Sequence, residues 1–79
     1  GDSVVFIEVK TRRGVAHGQP VDAVDRNKQQ RMTRAAMVFL KREGWLNRRS
    51  RFDVIAVVWP DETSSPQIAH YRHAFEATS

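Results

Sequence analysis

Two runs rich in β-branched residues, Val4–Lys10 and Arg51–Trp59, flank one amphipathic stretch, Asp22–Glu43, and this order leaves the chain few folds. A strand that returns to its sheet through a helix must lie parallel to the first, by a right-handed crossover. The middle stretch carries Met32, Ala35, Ala36, Phe39 and Leu40 at i, i+3, i+4, i+7 and i+8, the pattern of one buried helical face. Asp22 and Asp25 are both candidate N-caps. Lys41 and Arg42 suit the last turn, and Gly44 follows as a stop. Arg31, Arg34, Lys41 and Arg42 belong to the outer side. Lys28 falls at the edge of the apolar stripe, and Gln29 projects near Ala36 and Leu40, toward the sheet.

The remaining segments complete an α/β order of strand, helix, strand, strand, read as a single domain over residues 1–79. Thr11–Pro20 is predicted as a loop carrying Arg12, Arg13 and His17, either a ligand-contacting segment or a solvated connector. Trp45–Ser50 is a short basic connector. In Arg51–Trp59, Phe52, Val54, Ala56 and Val58 alternate with Asp53, Ile55, Val57 and Trp59, which predicts an interior strand covered on both faces. Pro60–Pro66 reads as a loop, Gln67–Arg72 as a last short strand, and His73–Ser79 as a frayed tail or single helical turn. A chain this short buries only about 60 % of the surface its unfolded form exposes, so the core is expected to be thin. Gly1-Asp2-Ser3 has hairpin-turn chemistry beside a strand, which predicts a chain that begins inside a turn, with a first helix and strands missing. The edge so exposed invites pairing, and a homodimer or an element swap through Val4–Lys10 is expected.

Chemistry concentrates at Glu8-Val9-Lys10. Side chains alternate along a strand, so Glu8 and Lys10 share one face while Val5, Ile7 and Val9 take the other. A carboxylate and an ammonium at the end of a buried strand form either a structural ion pair or part of a metal site. In the metal site Glu8 binds a hard divalent cation and Lys10 positions or activates a water. The formal net charge of +4 favours a polyanionic partner, nucleic acid first, although solubility alone accounts for such a balance in many domains. The absence of cysteine removes disulfides, thiolate metal sites and thiol nucleophiles, and fits a cytoplasmic setting. The longest apolar run, Val54–Trp59, is far below the roughly 20 residues that span a bilayer, so no membrane partner is expected.

Other polar residues take plainer readings. Asp53 lies within an apolar strand and needs a buried partner, most simply an arginine or a loop hydrogen bond. His70 and His73 make a His-x-x-His pair without a third clear ligand. Trp45 and Trp59 read as core or interface residues, and Arg48-Arg49-Ser50-Arg51 as a solvated basic turn.

The stretch Val5-Phe6-Ile7-Glu8-Val9-Lys10-Thr11-Arg12 resembles the signature of the YraN-like bacterial proteins. So do Ala23-Val24 with Lys28 downstream, Arg51-Phe52-Asp53-Val54, and Ile68-Ala69-His70 leading to Ala74-Phe75. The resemblance runs from about Val4 to Phe75. That family is similar to Holliday-junction resolvases and to PD-(D/E)XK nucleases, which implies part of a restriction-endonuclease-like fold. By the resemblance, Glu8 corresponds to the acidic metal ligand, the Val9 carbonyl to a main-chain ligand and Lys10 to the catalytic lysine. Lys28 or Gln29 corresponds to the polar helix residue facing the site. The implied cofactor is Mg2+ or Mn2+. The family pattern also has an earlier Gly-Glu-Ile-Asp strand, whose Asp is the other metal ligand, and a helix before it. This sequence has neither. It also carries Asp25 where the family often has Thr, and His73 where it often has Asn.

The expectation is therefore an endonuclease-like protein acting on DNA, branched or structured, and inactive over this span alone. Arg12, Arg13, Lys28, Gln29 and Arg31 would contact the nucleic acid. The rivals are a non-catalytic nucleic-acid-binding module of the same fold and a structural or protein-interaction role.

Overall fold

The computed structural model describes residues 3–14 and 25–78. The order is β1 (Ser3–Arg13), α1 (Arg26–Glu43), β2 (Arg49–Trp59) and β3 (Gln67–Phe75). β1 and β2 are parallel, with Phe6 opposite Phe52, Glu8 opposite Val54 and Lys10 opposite Ala56, as the crossover demands. β3 returns antiparallel to β2, giving a three-stranded sheet in the order β1-β2-β3. The mixed sheet and single helix match the α/β order read from the sequence.

α1 begins where its chemistry says it should. Asp25 is the N-cap, accepting from the Lys28 backbone N–H at 2.8 Å. Asp22, the other candidate cap, lies outside the described residues. Gly44 closes the helix in the left-handed region at φ 72, its N–H returning to the Leu40 and Lys41 carbonyls. Ala36 and Leu40 are buried as predicted, whereas Ala35 and Phe39 are not. These two overhang the outer side of β1, where they line an open cleft of about 470 Å³ with Val4, Phe6 and Met32. Among the described residues no fourth strand lies beyond β1 to close that cleft. Thr33, absent from the predicted stripe, is buried instead. Its hydroxyl donates to the Gln29 carbonyl at 2.8 Å and accepts from the Thr78 N–H at 3.1 Å.

The core lies between α1 and one face of the sheet. Phe52 stacks on Phe75 with ring centroids 4.8 Å apart and tilts against Phe6 at 5.7 Å, while Val54 and Ala36 complete the cluster. Each of the larger side chains, Phe52, Val54 and Phe75, taken out of water, contributes about 2 kcal/mol, and Ala36 about 0.8 kcal/mol. The expectation that β2 is covered on both faces needs correction. α1 covers one face; on the other, Ile7, Val9 and Ile68 are 50 %, 57 % and 69 % exposed. No second layer packs there among the described residues, so the core is thin in the way the chain length implied.

Three boundaries also move. Thr11–Arg13 continue β1 rather than opening a loop, because β2 pairs with them as far as Arg13 opposite Trp59. Gly14 follows at φ 80, its N–H donating to the Trp59 carbonyl at 2.8 Å, and residues 15–20 of the predicted loop, including His17, lie outside the described residues. β2 starts at Arg49, which shortens the basic connector. β3 runs on to Phe75, so His73–Phe75 are strand rather than tail. The extension was hidden by an irregularity. Phe52 pairs Phe75 and Val54 pairs Tyr71, so one residue of β2, Asp53, faces three of β3.

Candidate functional site

The longer β1 moves Glu8-Val9-Lys10 from the strand's end to its middle. Phe6, Glu8, Lys10 and Arg12 share the face that looks toward α1, since Phe6 belongs to the core on that side and side chains alternate. Beyond Phe6 this face turns from apolar to charged. Glu8 and Lys10 thus sit under the first turn of α1, half-buried, with side chains 21 % and 23 % exposed.

The predicted Glu8–Lys10 pair is the weaker of two contacts. Lys10 Nζ stands 3.9 Å from Glu8 Oε1. Lys28 Nζ, reaching down from α1, makes the direct ion pair with the same oxygen. Lys28 is held from both ends. Its backbone N–H is fixed by the Asp25 cap, and its ammonium by Glu8. Lys28 is therefore brought to the triplet from α1. Gln29 is half-buried on the same turn. Sequence periodicity placed Lys28 at the edge of the stripe but could not show that its long stem would bend under the helix to β1.

One carboxylate and two ammonium groups carry a net charge of +1. The Lys10 ammonium is held below the ordinary lysine range, first by the adjacent Lys28 amine and then by partial burial. The Lys28 ammonium is held above that range, chiefly by its bond to the Glu8 carboxylate. Arg12 and Arg31 add positive potential around the pair: Arg12 lowers Lys10 further, and Arg31 opposes the rise at Lys28. Both are exposed.

Arg13 is not brought to this cluster. Alternation sends it to the opposite face, where it lines a groove with Trp59, Asp61 and Glu62. The side chain of Val9 also points to that face, leaving its main-chain carbonyl as the one group it can offer a cation on the Glu8 side. Among the described residues no group of three or more His, Cys, Asp or Glu converges. Among the described residues at this spot, the carboxylate donor is Glu8, with main-chain carbonyls of β1 beside it. These are right in kind for Mg2+ or Mn2+, and fewer than either ion takes up.

The second polar constellation is structural. Asp53 is fully buried, and its carboxylate accepts from Arg51 Nε at 3.0 Å and from the His73 backbone N–H at 3.0 Å. His70 Nε2 lies 2.7 Å from its other oxygen. Burial alone would push the carboxyl up. The His73 N–H, Arg51 and His70 outweigh it and leave the group at about 2. His73 has φ 51, a left-handed conformation that the strand irregularity imposes, and Asp53 takes up the backbone N–H which that irregularity releases from the ladder. The His73 ring turns to Glu76 at 2.8 Å. Trp45 has Arg48 over its ring at 4.5 Å and Phe39 at its edge, so it is engaged within the fold.

Comparison with known proteins gives a consistent assignment. A family model described as Uncharacterised protein family UPF0102 matches residues 2–57, a span that holds β1, α1 and most of β2. A UPF0102 protein of Rhodopirellula baltica is 51 % identical over 75 residues, covering 94 % of this chain and 45 % of that protein. One from Pseudomonas paraeruginosa is 41 % identical over 78 residues, covering 98 % and 62 %. One from Geobacter sulfurreducens is 45 % identical over 78 residues, covering 96 % and 59 %. The chain spans about half the length of the curated relatives it matches. No helix of the described residues is long and apolar enough to cross a membrane.

Proposed function

The chain belongs to the UPF0102 family, the YraN-like family its motifs resemble, and from that premise we propose that it carries part of a metal-dependent, endonuclease-like centre that acts on the phosphodiester backbone of DNA. Branched or structured DNA is the substrate class this reading favours. The observation that supports it is the convergence of Glu8, Lys10 and Lys28, from two elements, on one half-buried spot flanked by Arg12 and Arg31.

In this reading Glu8 and the Val9 carbonyl supply two of the oxygens that hold Mg2+ or Mn2+. Such an ion takes further oxygens, from water, the phosphate or a second carboxylate. A divalent cation held by Glu8 and that carbonyl would supply Lewis-acid polarisation of a phosphoryl oxygen and would favour deprotonation of a water. The chain's own part is positional. Lys10, the less tightly paired amine, orients water or stabilises charge on the phosphate. Lys28, Gln29, Arg12 and Arg31 hold the backbone. Arg13, on the far face, contributes to the general positive field.

The test is cleavage of a four-way DNA junction by the full-length protein with Mg2+ or Mn2+. Activity is expected in the parent and none in Glu8→Ala; full activity in Glu8→Ala would end the proposal. A second reading, a non-catalytic nucleic-acid-binding module, is favoured by the net positive charge of the cluster. Salt-dependent binding without cleavage under any divalent metal would select it.

A further inference from the structure

The positive charge of the chain is not spread evenly over it. α1 alone carries Arg26, Lys28, Arg31, Arg34, Lys41 and Arg42 against one acid, Glu43, a net +5 where the whole chain has +4. Charge that serves solubility alone is mixed in sign and dispersed. A solvated helix also commonly sets acids three or four residues from its bases, and α1 has no such pair. Lys28 is engaged by Glu8. Arg31, Arg34, Lys41 and Arg42 are exposed, and none meets a carboxylate among the described residues. These four fall within about 100° of the helix circumference, Arg31 in line with Arg42 and Arg34 with Lys41 to within about 20°. Inside that arc the helix otherwise sets Asn27 and Val38, and no acid. Arg31 works against the charge on Lys28. Like charges so crowded on one helix face cost stability until an anion covers them.

We propose that this outward face of α1 is a docking surface for double-stranded DNA, with the helix lying across a groove and one pair of cations meeting the phosphates of each strand. Arg31 and Arg34 form one pair, and Lys41 and Arg42 the other. The centres of the two pairs are about 13 Å apart along the axis, at about 1.5 Å per residue. That span is comparable with the roughly 12 Å width of the major groove. Each pair includes an arginine, whose planar fork suits phosphate oxygens. An acidic protein fits this face less well. A protein interface has a desolvated centre rich in aromatic and apolar side chains, and the band offers Val38 alone. The Arg31 end of the band adjoins Lys28, so a duplex held on α1 brings its backbone toward Glu8 and Lys10. The inference rests on the reading above that DNA is the ligand, and it needs no metal.

The experiment is a salt series on the full-length protein, with a short fluorescein-labelled duplex of arbitrary sequence and a chelator in place of divalent metal, followed by fluorescence anisotropy. Arg34→Ala/Lys41→Ala takes one cation from each pair. The slope of log affinity against log salt should become shallower by about two units, and affinity at about 0.1 M salt should fall roughly 10–100-fold. Alanine is the best helix former, so the loss would not come from a weaker helix, and circular dichroism checks the fold. Arg34→Lys/Lys41→Arg keeps both charges and should bind within about threefold of the parent. Arg72→Ala, at an exposed arginine of β3, should change the slope by less than about half a unit. An unchanged slope in the α1 alanine variant, with the parent binding, overturns this surface and leaves DNA as a ligand held elsewhere. A fall in Arg72→Ala equal, charge for charge, to that in the α1 variant also overturns it, since net charge alone would then decide binding. A parent that binds poly-glutamate more tightly than the duplex, with the same loss in the α1 variant, makes the partner an acidic protein and overturns the choice of DNA. No binding of the parent to the duplex at low salt removes this surface together with the reading on which it rests.

Discussion

Replacing Asp53 by Asn removes one charge and almost no volume from the most deeply buried polar position of the sheet. The parent carboxylate receives the Arg51 side chain, the His73 backbone N–H and His70. An amide keeps the one oxygen that Arg51 Nε and the His73 N–H share and turns its NH2 toward the His70 ring, which must then present its bare nitrogen. The Arg51 charge is left uncompensated beside a buried neutral group. Breaking a buried pair from one side costs about 3–5 kcal/mol, reduced here because Arg51 is 27 % and His70 45 % exposed to water. About 2–3 kcal/mol is therefore expected. A domain of this length has roughly 4–12 kcal/mol in all, so the loss is a large share. In a urea titration followed by tryptophan fluorescence, with a slope near 1 kcal/mol per molar, the midpoint should fall by about 2 M.

The pH dependence adds a second readout from the same group. The folded carboxyl lies at about 2, below its ordinary 3.8, so its stabilisation is fully present from about pH 5 upward and is lost as pH falls through 3.8 toward 2. The depression corresponds to about 2 kcal/mol. The parent should lose that amount between about pH 5 and pH 2, while Asp53→Asn should lack this part of the acid slope. A midpoint shift below 0.5 M, or an acid slope preserved in the variant, would refute the assignment of Asp53 as the anchor of the strand irregularity.

Two further outcomes test the surfaces. Arg12→Ala should weaken DNA binding and lower the salt slope by about one unit, while Arg13→Ala, beside Asp61 and Glu62, should change both much less; equal effects in a fluorescence-anisotropy salt series would place the interface elsewhere. The outer edge of β1 has no partner among the described residues, so the 79-residue chain should self-associate through it at high concentration, and Val5→Pro should suppress this; a parent that sediments as a monomer throughout would remove the edge as an interface.

The fold was legible where periodicity decides the outcome. The crossover, the capped helix and the Gly44 stop follow from local chemistry that acts within a few residues. What stayed hidden depends on pairing at a distance. Thr11–Arg13 look like loop because they are polar, yet β2 supplies a full set of partners for them. His73–Phe75 look like tail because the strand pattern breaks at His73, and it breaks there because Asp53 from another strand stabilises a left-handed residue. Phe39 fits the apolar stripe but lies over the edge of a sheet whose width no helix pattern encodes. At the site, alternation put Glu8 and Lys10 on one face. The closer partner, Lys28, is 20 positions from Glu8 in sequence and joins it only through the crossover.

The charge pattern of α1 carries the site's logic one step further. A helix N-terminus is electropositive, and acidic side chains in the first turn normally answer it. This first turn has none, and it holds Arg26 and Lys28, with Arg31 in the turn that follows. Each cation so placed costs about 0.3–1 kcal/mol, and the Asp25 cap answers only part of that. The missing negative charge comes from β1, through Glu8. A sequence that served helix stability alone would place the acid on the helix, where an Asp or Glu at position 28 would act at shorter range. With the acid on the strand, loss of Glu8 would leave the helix terminus cationic, and an added anion such as phosphate is expected to offset that charge. Glu8→Gln should therefore destabilise α1 in the absence of nucleic acid and leave it cationic. Added inorganic phosphate should restore the thermal midpoint of that variant more than it raises the parent's. Equal response of the two proteins to phosphate would show that the helix terminus and Glu8 are not coupled.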